Sequence, residues 1–162
     1  MFVLLRDLRA LRRQVGLDRP RPGHSVAVRH VDAGSCNGCE HELSATMNPL
    51  YDLSRYGIGI VASPRHADVL LITGPVTTRM LAPLRAAYAA MPEPRRVAAL
   101  GDCALGRCVL GERGQYLGAA EDALPVDIRI AGCPPTPAAI AEALRAATTI
   151  PIPPLGDQVM DP

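Results

Sequence analysis

Residues 25–43, "SVAVRHVDAGSCNGCEHEL", join a β-branched run, a pair of cysteines between glycines, and the beginning of a helical pattern. The β-branched run ends just before Cys36, and Cys39 follows after two further residues. A strand that passes through a short loop into a helix is the repeating unit of parallel α/β sheets. This stretch therefore predicts the architecture and puts a C-x-x-C motif at a strand-to-helix junction.

The alternation of strand-like and helix-like segments continues along the chain. The buried-strand candidates are "IGIVAS", "ADVLLITG", "RRVAALG" and "PVDIRIAG". The helix candidates are "EHELSATM", which reaches about Met47 before Pro49 interrupts it, "MLAPLRAAYAAM", and "TPAAIAEALRAAT", which has Pro137 in its first turn. We therefore expect a mostly parallel sheet with helices on both faces.

Length and charge narrow the possible functions. A chain of 162 residues can bury a core of its own without disulfides. Its net charge of +1 gives no field that would collect nucleic acid, so we expect no nucleic-acid partner. Its longest uncharged apolar stretches, such as "VLLITGPV", fall far short of the roughly 18 residues that span a membrane.

The beginning of the chain, "MFVLLRDLRALRRQVG", is not typical of a signal peptide. Arg6 and Arg9 interrupt its apolar run, and no small-residue cleavage site follows. We therefore expect a cytoplasmic chain whose five cysteines stay reduced, which favours metal binding or redox chemistry over disulfides.

Three parts of the chain are expected from its composition. Residues 1–23 form an amphipathic helix and a Pro/Gly linker, residues 24–150 form the α/β domain, and residues 151–162 form a Pro-rich, extended tail. The apolar face of the first helix carries Leu4, Leu8, Leu11 and Val15. That face is expected to pack on its own domain, on a partner subunit or on an anionic membrane surface, and the sequence leaves these three open.

Four cysteines follow predicted strands. Cys36 and Cys39 come after the first strand, Cys103 follows "VAALGD", and Cys133 follows "DIRIAG". Ligands of open α/β sheets bind at the carboxyl ends of the strands, so these four side chains are expected to converge on a metal centre. One pair plus two single cysteines suits an iron–sulfur cluster better than structural zinc, which usually takes two pairs. Zinc, a redox dithiol and buried thiols remain alternatives, and Cys108 is either a buried thiol or an alternative ligand.

The segments "GSCNGCEHEL", "YDLSRYGIGIVASPRHADVLLITGPVT", "GDCA" and "DIRIAGCPPTPAAIAEAL" closely resemble the small-subunit family shared by membrane-bound [NiFe] hydrogenases and respiratory complex I. In complex I the relative is the 20 kDa, or B, subunit. The resemblance covers roughly residues 26–147. It implies a flavodoxin-like, three-layer α/β domain with one [4Fe-4S] cluster on Cys36, Cys39, Cys103 and Cys133. Such a chain is an oxidoreductase subunit that relays single electrons to or from a large catalytic subunit and is not catalytic alone.

The first cysteine motif separates the branches of that family. The complex I branch has two adjacent cysteines, whereas this C-x-x-C resembles the formate hydrogenlyase and energy-converting, group 4 hydrogenase branch. A hydrogenase-type subunit is therefore favoured, with a complex I-type subunit that delivers electrons to quinone as the first alternative. A non-redox scaffold with zinc or no metal is the second.

The resemblance also implies partners and a location. The partners are a large subunit, either of the [NiFe] hydrogenase or of the complex I 49 kDa type, and the ferredoxin-like and membrane subunits of the same complex. Through them the chain would lie peripherally on the cytoplasmic face of the inner membrane.

Other residues carry weaker expectations. Glu42 matches the family's acidic residue three positions after the motif, and is either a proton-handling carboxylate or a carboxylate stabilised by the helix dipole. Arg65 and His66 are either charges near a cluster or quinone, or surface-loop residues. Asp102 either caps the following turn or tunes the cluster. In "LGRCVLG", Cys108 and its neighbours replace the glycine pair and aromatic residue that the family usually has after the third ligand.

Overall fold

The computed structural model describes residues 25–108 and 116–149, so the predicted N-terminal helix and Pro-rich tail lie outside the described residues. Seven strands lie in these ranges: β1 (Val26–Asp32), β2 (Ile58–Ile60), β3 (Val69–Thr73), β4 (Val76–Thr77), β5 (Arg96–Leu100), β6 (Tyr116–Gly118) and β7 (Ile128–Ile130). The α-helices there are α1 (Gly38–Ala45), α2 (Leu81–Ala89) and α3 (Pro137–Thr149). Short 3₁₀ helices occupy Leu53–Tyr56, Pro64–His66 and Ala120–Asp122.

The main sheet is parallel throughout, with strand order β2-β1-β3-β5-β7. Numbered among themselves, its strands run 2-1-3-4-5, which is the flavodoxin-like order. The predicted mostly parallel sheet is thus confirmed. Strands β4 and β6 form a separate antiparallel pair that the sequence pattern does not predict.

Both faces of the sheet are covered, because β3 is buried at all five positions and sends alternate side chains to opposite sides. Leu70 and Ile72 pack with Leu84 of α2 on one face. The other face buries Val69 and Leu71 against α1 and α3, through Leu43, Ile140 and Leu144. Each fully buried aliphatic side chain of this kind contributes about 1.5–3 kcal/mol. The three-layer prediction is confirmed.

The first helix ends at Ala45, slightly before the predicted Met47. Thr46 ends it, because its backbone N–H is shared between the carbonyls of Glu42 and Leu43 while its hydroxyl donates to Leu43 O at 2.6 Å. That side-chain bond satisfies a hydroxyl that is completely buried, and a residue that bonds the preceding turn in this way competes with helix continuation.

Helix α3 begins at Pro137, as the sequence predicts, since proline needs no backbone partner in the first turn. Within residues 25–108 and 116–149, no helix combines the length and apolar character required to cross a bilayer.

Candidate metal centre

A hydrogen-bonded turn links β1 to α1 and carries Cys36. The Asp32 carboxylate accepts bonds from the N–H groups of Gly34 and Ser35, at 2.8 and 2.7 Å, and the Ser35 hydroxyl oxygen accepts from Asn37 N–H at 3.1 Å. Asn37 then takes a left-handed conformation, with φ of 67°, and starts the helix. Side-chain-to-backbone bonds of this type fix a turn locally. The exposed Cys36 is therefore held on the loop, and Cys39 enters the first turn of α1.

The loops after β5 and β7 are joined by three hydrogen bonds. Gly101 N–H donates to Ile130 O at 2.7 Å, and Asp102 N–H donates to Gly132 O at 2.8 Å. In return, Gly132 N–H donates to the Asp102 carboxylate at 3.0 Å. Cys103 directly follows Asp102, and Cys133 directly follows Gly132. The Asp102 side chain therefore holds together the two loops that carry the single cysteines, a role that the sequence alone does not assign to it.

Glycines let the first cysteine loop approach the other two. Gly101 has φ of +90°, and a Cβ at this position would overlap the sulfur of Cys39. A Cβ on Gly38 would lie 3.6 Å from the sulfur of Cys36 and 3.9 Å from the ring of Pro134. The α1 end of the first loop thus lies against the β5 loop at Cys39 and close to the β7 loop at Gly38. Three segments remote in sequence meet at the carboxyl edge of the sheet.

The electrostatics of the thiols place them in one neighbourhood. Burial, followed by the negative charges of Glu40, Cys36 and Cys133, raises the pKa of Cys39 to about 11. Burial, a hydrogen bond with Cys108, and the charges of Cys108, Cys133 and Cys36 raise the pKa of Cys103 to about 12. Both thiols therefore hold their protons at neutral pH, and a metal that binds them must displace those protons.

The side chains as placed do not surround a single ion. Within residues 25–108 and 116–149, no three His, Cys, Asp or Glu side chains are grouped as the ligands of one metal would be. Mononuclear zinc needs such a grouping. The four thiolates of a cubane cluster bind four different irons and therefore stand farther apart than ligands of one ion. Four thiols on loops with a close backbone are the kind of donor set that iron–sulfur clusters use.

Two half-buried polar side chains, His30 and Glu40, adjoin the cysteine edge, and the sequence pattern reveals their contact only in part. His30 on β1 lies with its Nε2 at 2.9 Å from the Thr73 hydroxyl and at 3.6 Å from a carboxylate oxygen of Glu40 on α1. Among the described residues, neither buried oxygen of Glu40 has a hydrogen-bond partner. Burial lowers the pKa of His30, opposed by the nearby charges of Glu40 and Asp32. The signal was available in part, since His30 shares the sheet face of Val28, which packs in the same core layer as Leu43 of α1.

The other candidate residues lie on α1, in a 3₁₀ helix and in the turn after Cys103. Glu42 is half-buried on α1, two residues beyond Glu40. Arg65 and His66 lie in the 3₁₀ helix Pro64–His66, which leads back toward the beginning of β3 and so away from the cysteine edge. Cys108 is half-buried at the end of the turn that follows Cys103. The structure thus groups Cys108, but not His66, with the predicted ligands.

A family model described as "NADH ubiquinone oxidoreductase, 20 Kd subunit" matches residues 36–147. A probable membrane-bound hydrogenase subunit of Pyrococcus furiosus is 45% identical over 118 residues, covering 73% of this chain and 71% of the relative. Formate hydrogenlyase subunit 7 of Escherichia coli K12 is 45% identical over 115 residues, covering 71% of this chain and 45% of the relative. An NADH-quinone oxidoreductase subunit of Citrifermentans bemidjiense is 44% identical over 102 residues, covering 63% of this chain and 59% of the relative.

Among solved structures, a chain of the membrane-bound sulfane sulfur reductase, an archaeal respiratory membrane complex, superposes with a TM-score of 0.67 at 31% identity. The match covers 82% of this chain and 73% of that chain. These relatives are subunits of oxidoreductase complexes, as the sequence resemblance implies. The chain therefore belongs to the NADH ubiquinone oxidoreductase 20 kDa subunit family, which includes subunits of membrane-bound hydrogenases.

Proposed function

We propose that this chain is the electron-transfer subunit of a membrane-bound [NiFe] hydrogenase or formate hydrogenlyase-like complex. It carries one [4Fe-4S] cluster on Cys36, Cys39, Cys103 and Cys133. The cluster relays single electrons to or from a large catalytic subunit, and the chain lies peripherally on the cytoplasmic face of the inner membrane through its partner subunits.

The observation that carries this proposal is the joining of the three cysteine loops. The β5 and β7 loops share the reciprocal bonds between Asp102 and Gly132, and Gly101 lies against Cys39. Four thiols from three parts of the chain are thereby brought to one edge. Backbone close to the sulfurs suits a cluster, whose potential depends on hydrogen bonds to its sulfur atoms.

The bound cluster supplies one-electron chemistry, and the protein controls its surroundings. The four cysteines would hold the irons, while Gly38 and Gly101 keep side chains away from the sulfurs of Cys36 and Cys39. The hydrogen bonds between Asp102 and Gly132 hold together the two loops that carry Cys103 and Cys133. The neighbouring carboxylate of Glu40 adds negative charge, which favours the oxidised form of the cluster. Glu42, close to the same helix turn, is the candidate to hold a proton where the large subunit binds.

Two observations favour the hydrogenase branch: the C-x-x-C motif, and the greater number of residues over which a hydrogenase subunit aligns with this chain. The hydrogenase subunit of Pyrococcus furiosus aligns over 118 residues, compared with 102 for the NADH-quinone oxidoreductase subunit. The identities, 45% and 44%, do not separate the branches. A complex I-type subunit that delivers electrons to quinone therefore stands as the second candidate.

The test is to purify the chain anaerobically with its large subunit and record the EPR spectrum after reduction with dithionite, alongside iron and sulfide analysis. We expect a fast-relaxing signal and about four irons per chain, as a single cubane requires. Cys36→Ala and Cys133→Ala should each lose the signal, and the matched control Cys108→Ala should keep it.

Two other outcomes would change the assignment. A chain that holds zinc or no metal, and gives no signal, would refute the relay and leave a scaffold. If the chain carries a cluster but its large subunit has neither nickel nor the cysteine pairs that bind nickel, the hydrogenase assignment would be refuted and quinone chemistry favoured.

A further inference from the structure

The turn after Cys103 brings a second thiol back to it. Leu105 N–H donates to Gly101 O and Asp102 O, both at 3.2 Å, and Gly106 N–H donates to Cys103 O at 3.2 Å. Arg107 N–H closes the turn onto Asp102 O at 2.8 Å, and its guanidinium lies 3.8 Å from the Asp102 carboxylate. Gly106 permits the reversal with φ of +82°. The chain therefore doubles back directly before Cys108.

At the end of this turn the side chains of Cys103 and Cys108 are hydrogen-bonded to each other. Both are half-buried, so a small thiol reagent can reach them. Two thiols in contact on a tight turn are the arrangement from which a disulfide forms with little backbone movement.

We propose that Cys103 and Cys108 form a reversible disulfide in the cluster-free chain, which blocks cluster insertion until it is reduced. This inference depends on the proposed function, because it matters only if Cys103 is a cluster ligand. A metal binds the thiolate form of cysteine, and a sulfur bonded to Cys108 cannot become a thiolate. The modification thus removes one of the four proposed ligands.

The oxidant is a low-molecular-weight disulfide such as oxidised glutathione, and the reaction is a thiol–disulfide exchange. The Cys108 sulfur loses its proton and attacks a sulfur of the oxidant, forming a mixed disulfide and releasing one glutathione as thiolate. Cys103, which holds its proton at neutral pH, passes that proton to the released glutathione thiolate as its sulfur attacks the protein sulfur of the mixed disulfide and releases the other glutathione. Two protein thiols are oxidised, one glutathione disulfide is reduced to two thiols, and the two protons pass to those products.

The sequence allows the product to be identified directly. Tryptic cleavage after Arg96, Arg107 and Arg113 separates Cys103, in "VAALGDCALGR", from Cys108, in "CVLGER". A disulfide between them yields one cross-linked pair of peptides. Cys36 and Cys39 lie together on a third peptide and Cys133 on a fourth, so each alternative disulfide has a different mass.

The experiment treats the full-length, cluster-free chain with oxidised glutathione, blocks remaining thiols with N-ethylmaleimide, and analyses the tryptic peptides by mass spectrometry. In parallel, iron and sulfide uptake is measured before and after reduction with dithiothreitol. We expect the cross-linked pair, together with loss of iron uptake that dithiothreitol restores. Cys108→Ala should take up iron equally with or without oxidised glutathione, and circular dichroism should confirm that it is folded.

A Cys36–Cys39 disulfide instead of the cross-linked pair would overturn the inference, as would undiminished iron uptake by the cross-linked chain. Failure of the proposed function gives a different result. In that case the fully reduced wild-type chain takes up no cluster at all, whether or not the cross-linked pair forms.

Discussion

The contact between Gly101 and Cys39 gives the sharpest prediction for the candidate site. Replacing Gly101 with alanine puts a Cβ on a residue at φ of +90°, where it overlaps the sulfur of Cys39. The left-handed backbone alone costs an L-residue about 1–2 kcal/mol. Turning the Cys39 side chain away from its favoured rotamer adds about 0.5–1.5 kcal/mol. The cluster-free Gly101→Ala chain should therefore be less stable by about 1.5–3.5 kcal/mol.

The assay is urea unfolding of the cluster-free chain, followed by iron and sulfide analysis after reconstitution. For a chain of this length each kcal/mol corresponds to roughly 2–4 °C in the melting temperature, so thermal unfolding also resolves the change. Because the displaced sulfur is a proposed ligand, Gly101→Ala should also take up less iron than the wild type. In a Cys39→Ala background the overlapped sulfur is absent, and the substitution should cost only the backbone contribution.

Gly59→Ala is the matched control. Gly59 is exposed on β2, and no atom beyond Gly59 and its two chain neighbours lies within 4 Å of the position that its Cβ would occupy. Its substitution should change stability by less than about 0.5 kcal/mol and leave iron uptake unchanged. If Gly101→Ala were as stable as Gly59→Ala and had full iron content, the close approach of the β5 loop to Cys39 would not require glycine at position 101.

Three further predictions concern the sheet and its edge. Leu70→Ala should reduce the free energy of unfolding by about 2–5 kcal/mol, whereas Leu50→Ala should change it by less than about 0.5 kcal/mol, since Leu70 is fully buried and Leu50 is 75% exposed; equal urea midpoints would contradict the core assignment. His30→Gln should flatten the dependence of stability on pH. Folding lowers the pKa of His30 below its unfolded pKa of 6.5, so its contribution to stability is fully present above pH 6.5 and is lost as the pH falls through the folded pKa. Denaturant titrations between about pH 5 and pH 8 measure this, and an unchanged slope of the unfolding free energy against pH would show that His30 does not cause the pH dependence. Asp102→Ala should cost about 1–3 kcal/mol by leaving Gly132 N–H without its acceptor and should speed iron loss from the loaded chain, while Asp102→Asn, which retains an oxygen acceptor, should be milder; equal behaviour of the two variants would show that the bridging bond is unimportant.

The main sheet could be predicted because its signals are local. The run at Val69–Thr73 is continuously apolar up to its last residue, which is typical of a strand covered on both faces, and the helices on either side show their own apolar spacing. Strands β4 and β6 were missed because each is very short and their pairing joins residues about forty positions apart. Neither strand has a pattern long enough to recognise.

The candidate site was predictable only in outline. The position of the cysteines after strands follows from the general behaviour of parallel sheets, but the partners of individual side chains do not. Glu42 is the carboxylate that matches a family position, whereas it is Glu40 that lies opposite His30. That contact depends on the rotation of α1 over the sheet. The bridge from Asp102 to Gly132 likewise depends on two loops thirty residues apart, which no local pattern encodes.

The position of β7 at the edge of the sheet has a consequence for biogenesis. Among the described strands of the main sheet, the one that precedes Cys133 is hydrogen-bonded only to β5, and β5 and β3 separate it from β1 and its cysteine loop. Cys133 is also synthesised about a hundred residues after Cys36. Parallel pairing over such sequence separations is slow, because the chain must lose the entropy of long loops before it gains the contacts. A cluster held by the four proposed ligands could therefore be completed only after Cys133 has been synthesised and β7 has paired with β5.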